Sequence, residues 1–313
     1  MKTKSIMLLG FVLCCCLALP GRAPATGPIA VFLSDSEEAY RKPVAAFQES
    51  MDIPITIYNL EGDIHKAPAV MERMLASQPP LIFALGAKAA FIAKTWTKDH
   101  QHIPVLFAMV LNWQKYHLTA GQDNIAGIAS DVAPGTQFLN MTVFSPTSRK
   151  VGVIYSETHS VEIIAQARQA ADLLGIELVA QPISHPREFR RAYKKMVDQI
   201  DSFWVLTDPV VYTLDNIAWL EKSCLKDQLV CIGQSENVAK LGILLAVDPD
   251  IPNLGNQAAS LAKNILFRHE QISDIGVMPP LGTRIYLNTK TAQKLGLIIG
   301  QPAMGMVNEL IDN

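Results

Sequence analysis

A run of hydroxyl side chains lies directly before a helical pattern near the middle of the chain. Ser156, Thr158 and Ser160 fall in a polar turn that follows the apolar run Val151–Tyr155. The first N–H groups of a helix have no partner within the helix, and the helix dipole makes that end positive. The turn is therefore suited to hold a carboxylate or a phosphate, with the hydroxyls as additional donors. Capping of the helix by Ser160 would explain the same residues, and both interpretations stay open.

A carboxylate and several aromatic side chains follow other apolar runs. Asp208 comes after Phe203–Leu206 and could accept a ligand ammonium group, while Tyr212 could form an aromatic wall. Trp113 and Tyr116 follow an earlier apolar run and could stack on an apolar ligand. The alternatives are a plain turn at Asp208 and, for the two earlier aromatic residues, exposure in a loop or packing beneath the site.

Two further turns carry polar side chains after apolar runs. Ser34 and Glu37 follow the run Ile29–Leu33, and Gln234 and Ser235 follow a later one. All four side chains could form hydrogen bonds with a ligand. Each pair also suits the start of a helix, so helix capping is the alternative explanation.

Signatures of catalysis and metal binding are incomplete in this chain. The segment GQSEN at 233–237 lacks the final glycine of a nucleophile elbow, and no Walker loop or G-x-G-x-x-G motif is present. His100 and His102 form an H-x-H pair, but no nearby residues complete a metal set. We therefore expect no catalytic residue, no metal and no cofactor. A hydrolase on an α/β scaffold would need a nucleophile–base pair that the sequence does not offer.

The elements that position the candidate residues repeat a strand–turn–helix pattern. The pattern opens at Ile29–Leu33 and starts again at Val151–Tyr155, about 120 residues later. Near-continuous apolar strands that alternate with helices predict parallel sheets covered on both faces. A chain of 313 residues, 49% of them hydrophobic, can form two such lobes. The predicted fold class is α/β, with two Rossmann-like lobes whose ligand site lies at the carboxyl ends of the strands.

Three crossings between the lobes are predicted. We place them at Gly127–Asp131, at Asp248–Asp250 and at the strand Thr283–Asn288. Several crossings form a hinge, because a few linker residues absorb a rotation while the lobes stay rigid. The predicted lobes are residues 26–127 plus 250–278 and residues 128–249 plus 279–313.

The first 25 residues have the composition of a secretory signal peptide. Lys2 and Lys4 precede the apolar run Ile6–Leu19, and the A-x-A-like segment Ala23–Ala25 follows. We predict cleavage after this segment and a periplasmic location, with an uncleaved anchor as the alternative. Cys14–Cys16 raise the question of a lipid anchor, but the small residue that normally precedes a lipoprotein cysteine is absent.

Charge and cysteine content restrict the partners further. Without residues 1–25, the 27 basic residues become 24 against 29 acidic ones, a net charge of −5. This balance disfavours binding to nucleic acid. Cys224 and Cys231 are then the remaining cysteines, and the sequence leaves open whether they form a disulfide. We expect a monomer.

Six segments, in order along the chain, resemble a known family. They are YNLEGD (58–63), IPVLFAMV (103–110), NIAGIASDV (124–132), KVGVIYSE (150–157), LGNQAASLAKNIL (254–266) and RIYLNTKTAQKLGL (284–297). With the export signal and the three crossings, they resemble the type I periplasmic binding-protein fold. More narrowly, the chain is similar to the ABC transporter substrate-binding proteins that include the tryptophan-binding-like members.

The resemblance implies capture of a small solute between the lobes, closure, and delivery to an ABC permease with a separate ATPase. An amino-acid-like solute, or another small polar one with an apolar portion, is the favoured ligand. The alternative is a periplasmic sensing subunit that presents its closed form to a membrane signalling receptor. The resemblance places ligand contacts at Ser34, Glu37, Leu111, Asn112, Ser130, Asp131, Ser156, Glu157, Ser160, Asp208, Gln234 and Ser235. Tyr212 joins these candidates as the aromatic wall inferred above from the residues.

Two loops depart from the family pattern. Leu111 and Asn112 stand where members often carry Asp-Pro, and Glu157 and His159 lie in a turn where small residues are common. A ligand carboxylate would be repelled by Glu157 unless that side chain points away. These departures affect which ligand is expected more than which fold is expected.

Overall fold

The computed structural model describes residues 27–119 and 124–312. The predicted signal peptide and Cys14–Cys16 lie outside the described residues. Within these ranges, no helix is both long and apolar enough to span a membrane.

The described chain alternates strands and helices as the apolar runs predict. The strands are β1 (Ile29–Leu33), β2 (Ile55–Asn59), β3 (Ile82–Leu85), β4 (Val105–Val110), β5 (Ile125–Ala129), β6 (Lys150–Tyr155), β7 (Glu177–Pro182), β8 (Ser202–Trp204), β9 (Val230–Gly233), β10 (Leu245–Pro249), β11 (Val277–Met278), β12 (Thr283–Asn288) and β13 (Glu309–Ile311). The α-helices are α1 (Glu37–Ser50), α2 (Ala67–Ala76), α3 (Ala87–Trp96), α4 (Pro134–Phe144), α5 (Glu157–Leu174), α6 (Phe189–Met196), α7 (Leu214–Lys226), α8 (Glu236–Lys240), α9 (Ile251–Arg268), α10 (Ile272–Ile275), α11 (Thr289–Lys294) and α12 (Gln301–Met304).

The strands form two sheets, one for each lobe. The first sheet has the order β11-β5-β4-β3-β1-β2, and all of its strand pairs are parallel. The second has the order β13-β12-β10-β9-β8-β6-β7, and only the β10–β12 pair is antiparallel among the described strands. The predicted α/β fold class with two lobes and a three-crossing hinge is confirmed. We call the first sheet with its helices lobe 1 and the second sheet with its helices lobe 2.

Alternating side chains of β1 show why both faces of the first sheet are covered. Phe32 packs into the core on one face, whereas Val31 and Leu33 pack into the core on the other. Gly127 on β5 makes this packing fit, because a Cβ atom there would lie 2.4 Å from the ring of Phe107 on β4. Because the strands are buried on both faces, only their ends are free to contact a ligand. A ligand site is therefore expected in the loops at the strand ends.

Hydrogen bonds tie two of the crossings together. The chain passes from lobe 1 to lobe 2 between β5 and α4, returns between β10 and α9, and passes again between β11 and β12. Gln257 on α9 donates to the Pro279 carbonyl at 2.9 Å and accepts from the Leu281 N–H at 3.0 Å. The Asp250 N–H donates to the Gly282 carbonyl at 3.0 Å. The return crossing and the last crossing therefore form one braced unit beside the cleft.

Several predicted boundaries differ from the structure. The turn predicted at 156–160 is shorter, because α5 already begins at Glu157 and takes Thr158 to Ser160 into its first turn. The predicted third crossing strand, Thr283–Asn288, lies wholly within the second sheet, and the crossing itself is the segment 279–282. β5 continues in the first sheet to Ala129. The lobe limits predicted at residues 127 and 249 stay predictions.

Cys224 on α7 and Cys231 on β9 form a disulfide whose Cα atoms lie 6.8 Å apart. Both cysteines are buried in the core of lobe 2. The bond joins the end of a helix to the strand that leads to Gln234. The question that the sequence left open is answered in favour of the disulfide.

Candidate functional site

Two adjoining cavities lie in the cleft between the lobes, at the carboxyl ends of the strands. The Asp131 cavity has a volume of about 230 Å³ and the Tyr116 cavity about 390 Å³. Residues that line both are Leu111, Asn112, His159, Leu206, Thr207 and Gln234. Leu111 and Asn112 follow β4 in lobe 1, whereas the other four belong to lobe 2. A ligand in either cavity would contact both lobes.

Asn112 bridges the lobes directly. Its side-chain Nδ2 donates to the His159 carbonyl at 2.6 Å, in the first turn of α5. Its backbone N–H donates to Asp131 Oδ2 at 3.1 Å, in the first crossing. Asn112 is left-handed (φ 49°), a conformation that asparagine tolerates better than most residues. One residue thus joins the loop after β4, the crossing and lobe 2.

Asp131 presents a half-buried carboxylate to the cavity that carries its name. Burial raises the pKa of this carboxyl above its ordinary value, and the Asn112 N–H partly offsets the shift. Within residues 27–119 and 124–312, Asp131 forms no ion pair with a basic side chain. A cationic group on a ligand would supply the missing partner.

Gln234 lines both cavities, and its side chain has a buried amide donor without a partner among the described residues. Its side chain is 8% exposed, and its Oε1 accepts from the Thr207 hydroxyl at 2.9 Å. Its Nε2 has no hydrogen-bond partner among the described residues. A buried N–H group without a partner is costly, so this atom is suited to donate to an acceptor on a ligand.

Asp208 is placed differently from the sequence interpretation. Its carboxylate is buried, with 1% of the residue exposed, at the N-terminus of α5. It accepts from the Ser156 N–H at 2.8 Å, from the Ser160 hydroxyl at 2.7 Å and from the N–H groups of Val210 and Val211 at 3.0 and 3.3 Å. The position at which we expected a ligand carboxylate is therefore filled by a carboxylate of the protein. Both Asp208 oxygens are engaged within lobe 2, which leaves this residue poorly suited to bind a ligand ammonium group.

The remaining predicted aromatic and apolar residues do reach the cleft. Leu111 and Trp113 line the Asp131 cavity, and Tyr116 and Tyr212 line the other. The Tyr212 hydroxyl lies 2.9 Å from the Ile154 carbonyl, and burial raises its pKa. Tyr212 therefore offers its ring to the cleft while its polar end is held inside lobe 2.

Neither cavity is lined by four other predicted site residues, Ser34, Ser130, Ser156 and Glu157. Ser34 is buried and its hydroxyl accepts from the Ala89 N–H at 2.8 Å, so it supports the start of α3. Glu37 begins α1, Ser156 precedes α5, and Glu157 is exposed at the first position of α5. Ser130 is buried beside the cleft with an unpaired hydroxyl oxygen. By contrast, Ser160 and Ser235 do contribute to the cavity walls.

Sequence reasoning missed several cavity residues on lobe 2. Glu162, Ile163 and Gln166 line the Asp131 cavity from the second and third turns of α5, and Thr207 lies between the two cavities. The i, i+1, i+4 spacing on α5 marks one face of a helix, but nothing in the sequence shows that this face meets lobe 1.

A third cavity, the Asp248 cavity, of about 550 Å³, also lies between elements of both lobes. It is lined by α1 residues on one side and by Asp248, Arg284 and Tyr286 on the other. Burial raises the pKa of Asp248 to about 6; the Glu236 N–H, 3.2 Å from Oδ2, lowers it and the Glu236 carboxylate raises it.

Comparisons with solved structures agree with this architecture. A ligand-free, open substrate-binding protein with adhesive properties from Clostridium difficile has a TM-score of 0.76 at 20% identity, over 92% of this chain and 100% of that one. A Streptococcus pneumonia ABC domain in complex with L-Trp has a TM-score of 0.59 at 19% identity, over 90% and 100% of the two chains. A leucine-binding protein from Thermotoga maritima has a TM-score of 0.54 at 11% identity, over 80% and 86%. At these identities the likeness concerns the fold, that of the type I periplasmic binding proteins.

Sequence comparison identifies the family. A search of curated proteins returns no match. The family model described as "ABC transporter substrate binding protein" matches residues 29–304, which includes both sheets almost completely and every cavity residue named above. Members of this family bind solutes, are not enzymes, and typically work outside the cytoplasm with an ABC transporter. The chain belongs to the ABC transporter substrate-binding protein family.

Proposed function

We propose that the protein is an exported, non-enzymatic, monomeric solute-binding protein of the periplasm. In this proposal it captures a small amino-acid-like molecule between its lobes and delivers it to an ABC permease and its ATPase. The observation that carries the proposal is the unpaired Gln234 amide, which is buried in the wall between two cavities that both lobes line. The L-Trp in the Streptococcus neighbour supports a ligand of this class.

Closure would follow from the placement of the contacts. A ligand that meets Asn112 and Asp131 on one side and Gln234 on the other forms all its contacts only when the lobes are together. Its binding free energy therefore favours the closed conformation over the open one. A permease that recognises the closed form then receives loaded protein in preference to empty protein.

The experiment is a thermal-shift screen of residues 26–313 against amino acids, short peptides, sugars, nucleosides and purines. A solute that binds the folded form must raise the melting temperature as its concentration passes the dissociation constant. We expect a shift with amino-acid-like solutes and a weaker one in Gln234→Ala, with Gln199→Ala on the surface of lobe 2 as the control. A well-folded protein that responds to no solute would refute the proposal.

Delivery is tested separately by uptake of the bound solute in cells that lack the protein. Lost uptake supports the transport role. Normal uptake, together with solute binding, would favour the sensing alternative.

A further inference from the structure

The charges on the cleft walls are unbalanced. Asp131 and Glu162 contribute carboxylates to the Asp131 cavity, and its described walls contain no lysine or arginine. The Tyr116 cavity adds one basic residue, Lys115, and the internally bonded Asp208. The described cleft walls therefore carry more negative than positive charge.

Two donors at the start of α5 that would hold a ligand carboxylate are already engaged. The Ser156 N–H and the Ser160 hydroxyl both donate to Asp208. The His159 carbonyl and the Asn112 amide pair with each other across the cleft. A ligand carboxylate in the Asp131 cavity would meet two acidic side chains without a strong cationic partner, which is electrostatically unfavourable.

Gln234 gives a second, independent indication that a ligand binds here. It lines both cavities, is more than nine-tenths buried, and its Nε2 has no hydrogen-bond partner among the described residues. This donor needs an acceptor, and a neutral carbonyl, ether or hydroxyl oxygen would satisfy it beside the acidic wall.

We propose that the cleft selects a solute with a net positive charge, whose amine lies between Asp131 and Glu162 and whose apolar body contacts Leu111 and Trp113. The solute would be an amino-acid-like amine whose carboxylate is absent or masked as an amide or ester. The inference rests on the proposed function, since it assumes that the cleft captures a solute.

The test compares matched ligands that differ only in charge. Tryptophan, tryptophan amide, tryptamine and indole-3-propionate are titrated calorimetrically into residues 26–313, with the corresponding phenylalanine series in parallel. We expect the two cations to bind at least about tenfold more tightly than the zwitterion, because the carboxylate of the zwitterion would lie beside two acidic side chains without a cationic partner. The indole acid should bind most weakly.

Substitutions in the cavity test which residues cause the preference for cations. Asp131→Asn keeps an acceptor for the Asn112 N–H and should weaken binding of the cations about tenfold or more, with a smaller loss in Glu162→Gln. Glu157→Gln, an exposed carboxylate on the same helix but outside both cavities, should leave affinity unchanged. Melting temperatures of the three variants establish that each is folded.

The outcomes separate the two proposals. Equal or tighter binding of the zwitterion or the acid, or an Asp131→Asn variant with unchanged affinity for the cations, would overturn the charge inference and leave solute capture standing. If no member of the series and no solute of the wider screen binds the folded protein, the proposed function fails and the inference fails with it.

Discussion

The Asp208 carboxylate accepts a hydrogen bond from the Ser160 hydroxyl at 2.7 Å, across 48 residues of sequence. The two residues belong to the loop after β8 and to the first turn of α5. The bond fixes the start of a helix whose next turns line the Asp131 cavity. Asp208 therefore shapes the cleft through its contacts inside lobe 2.

Asp208→Ala should lower stability far more than ligand affinity. The substitution leaves three donors without their acceptor in a buried site, since the Val211 N–H keeps the Asp208 backbone carbonyl. We expect a loss of about 3–5 kcal/mol in the free energy of unfolding. Urea unfolding measures this loss, with the exposed Glu157→Gln variant as the control. Near-normal stability with abolished solute binding would instead assign Asp208 to the ligand.

Asn112→Gly should open the ligand-free cleft. Glycine tolerates the left-handed backbone but removes the hydrogen bond to the His159 carbonyl, which is worth about 1 kcal/mol, or roughly a fivefold change in the open–closed equilibrium. Small-angle X-ray scattering should report a larger radius of gyration. The matched control is His117→Gly, also left-handed (φ 48°) and in the same loop. Identical scattering from the two variants would show that the Asn112 bond does not hold the lobes together.

The sequence predicts the strands and helices well but the site only in part. Apolar runs define the buried parallel strands, and the bounds of Thr283–Asn288 agree with the structure. β11 and β13 were missed, because strands of two and three residues are too short to show a periodicity. Asp208 was correctly placed at a strand end. Its partners were not predictable, since they depend on how a loop packs against a helix about 50 residues earlier.

Asp248→Asn should change how stability depends on pH. The folded pKa is about 6, against about 3.9 in an unfolded chain, so the folded state holds this proton more tightly. Asp248 therefore costs no stability below about pH 4, and its cost grows as pH rises and is complete above about pH 6. Asparagine has no such cost and can still accept from the Glu236 N–H.

The difference in unfolding free energy between Asp248→Asn and wild type should thus rise from pH 4 to pH 7. We expect about 1–2 kcal/mol at pH 7, allowing for partial solvent exposure of the carboxylate. The groups around this carboxylate are Glu236 and Tyr286 in lobe 2, Arg284 opposite it on β12, Glu309 on β13, and Glu38, Arg41 and Lys42 on α1. The control is Asp250→Asn, two residues further along the same crossing. A difference that does not vary with pH would contradict the raised pKa.

Replacement of both Cys224 and Cys231 by serine should destabilise lobe 2 moderately. The disulfide closes a loop of only eight residues, so chain entropy predicts a loss of about 2–3 kcal/mol. Because the bond joins α7 to the strand that leads to Gln234, solute affinity should fall as well. Urea unfolding under oxidising and reducing conditions measures the first effect, and reduced wild type should approach the variant. The contrary result would be a urea midpoint of the wild type that does not change on reduction, with reduction verified by an assay of free thiols. It would show that packing alone holds β9 in place.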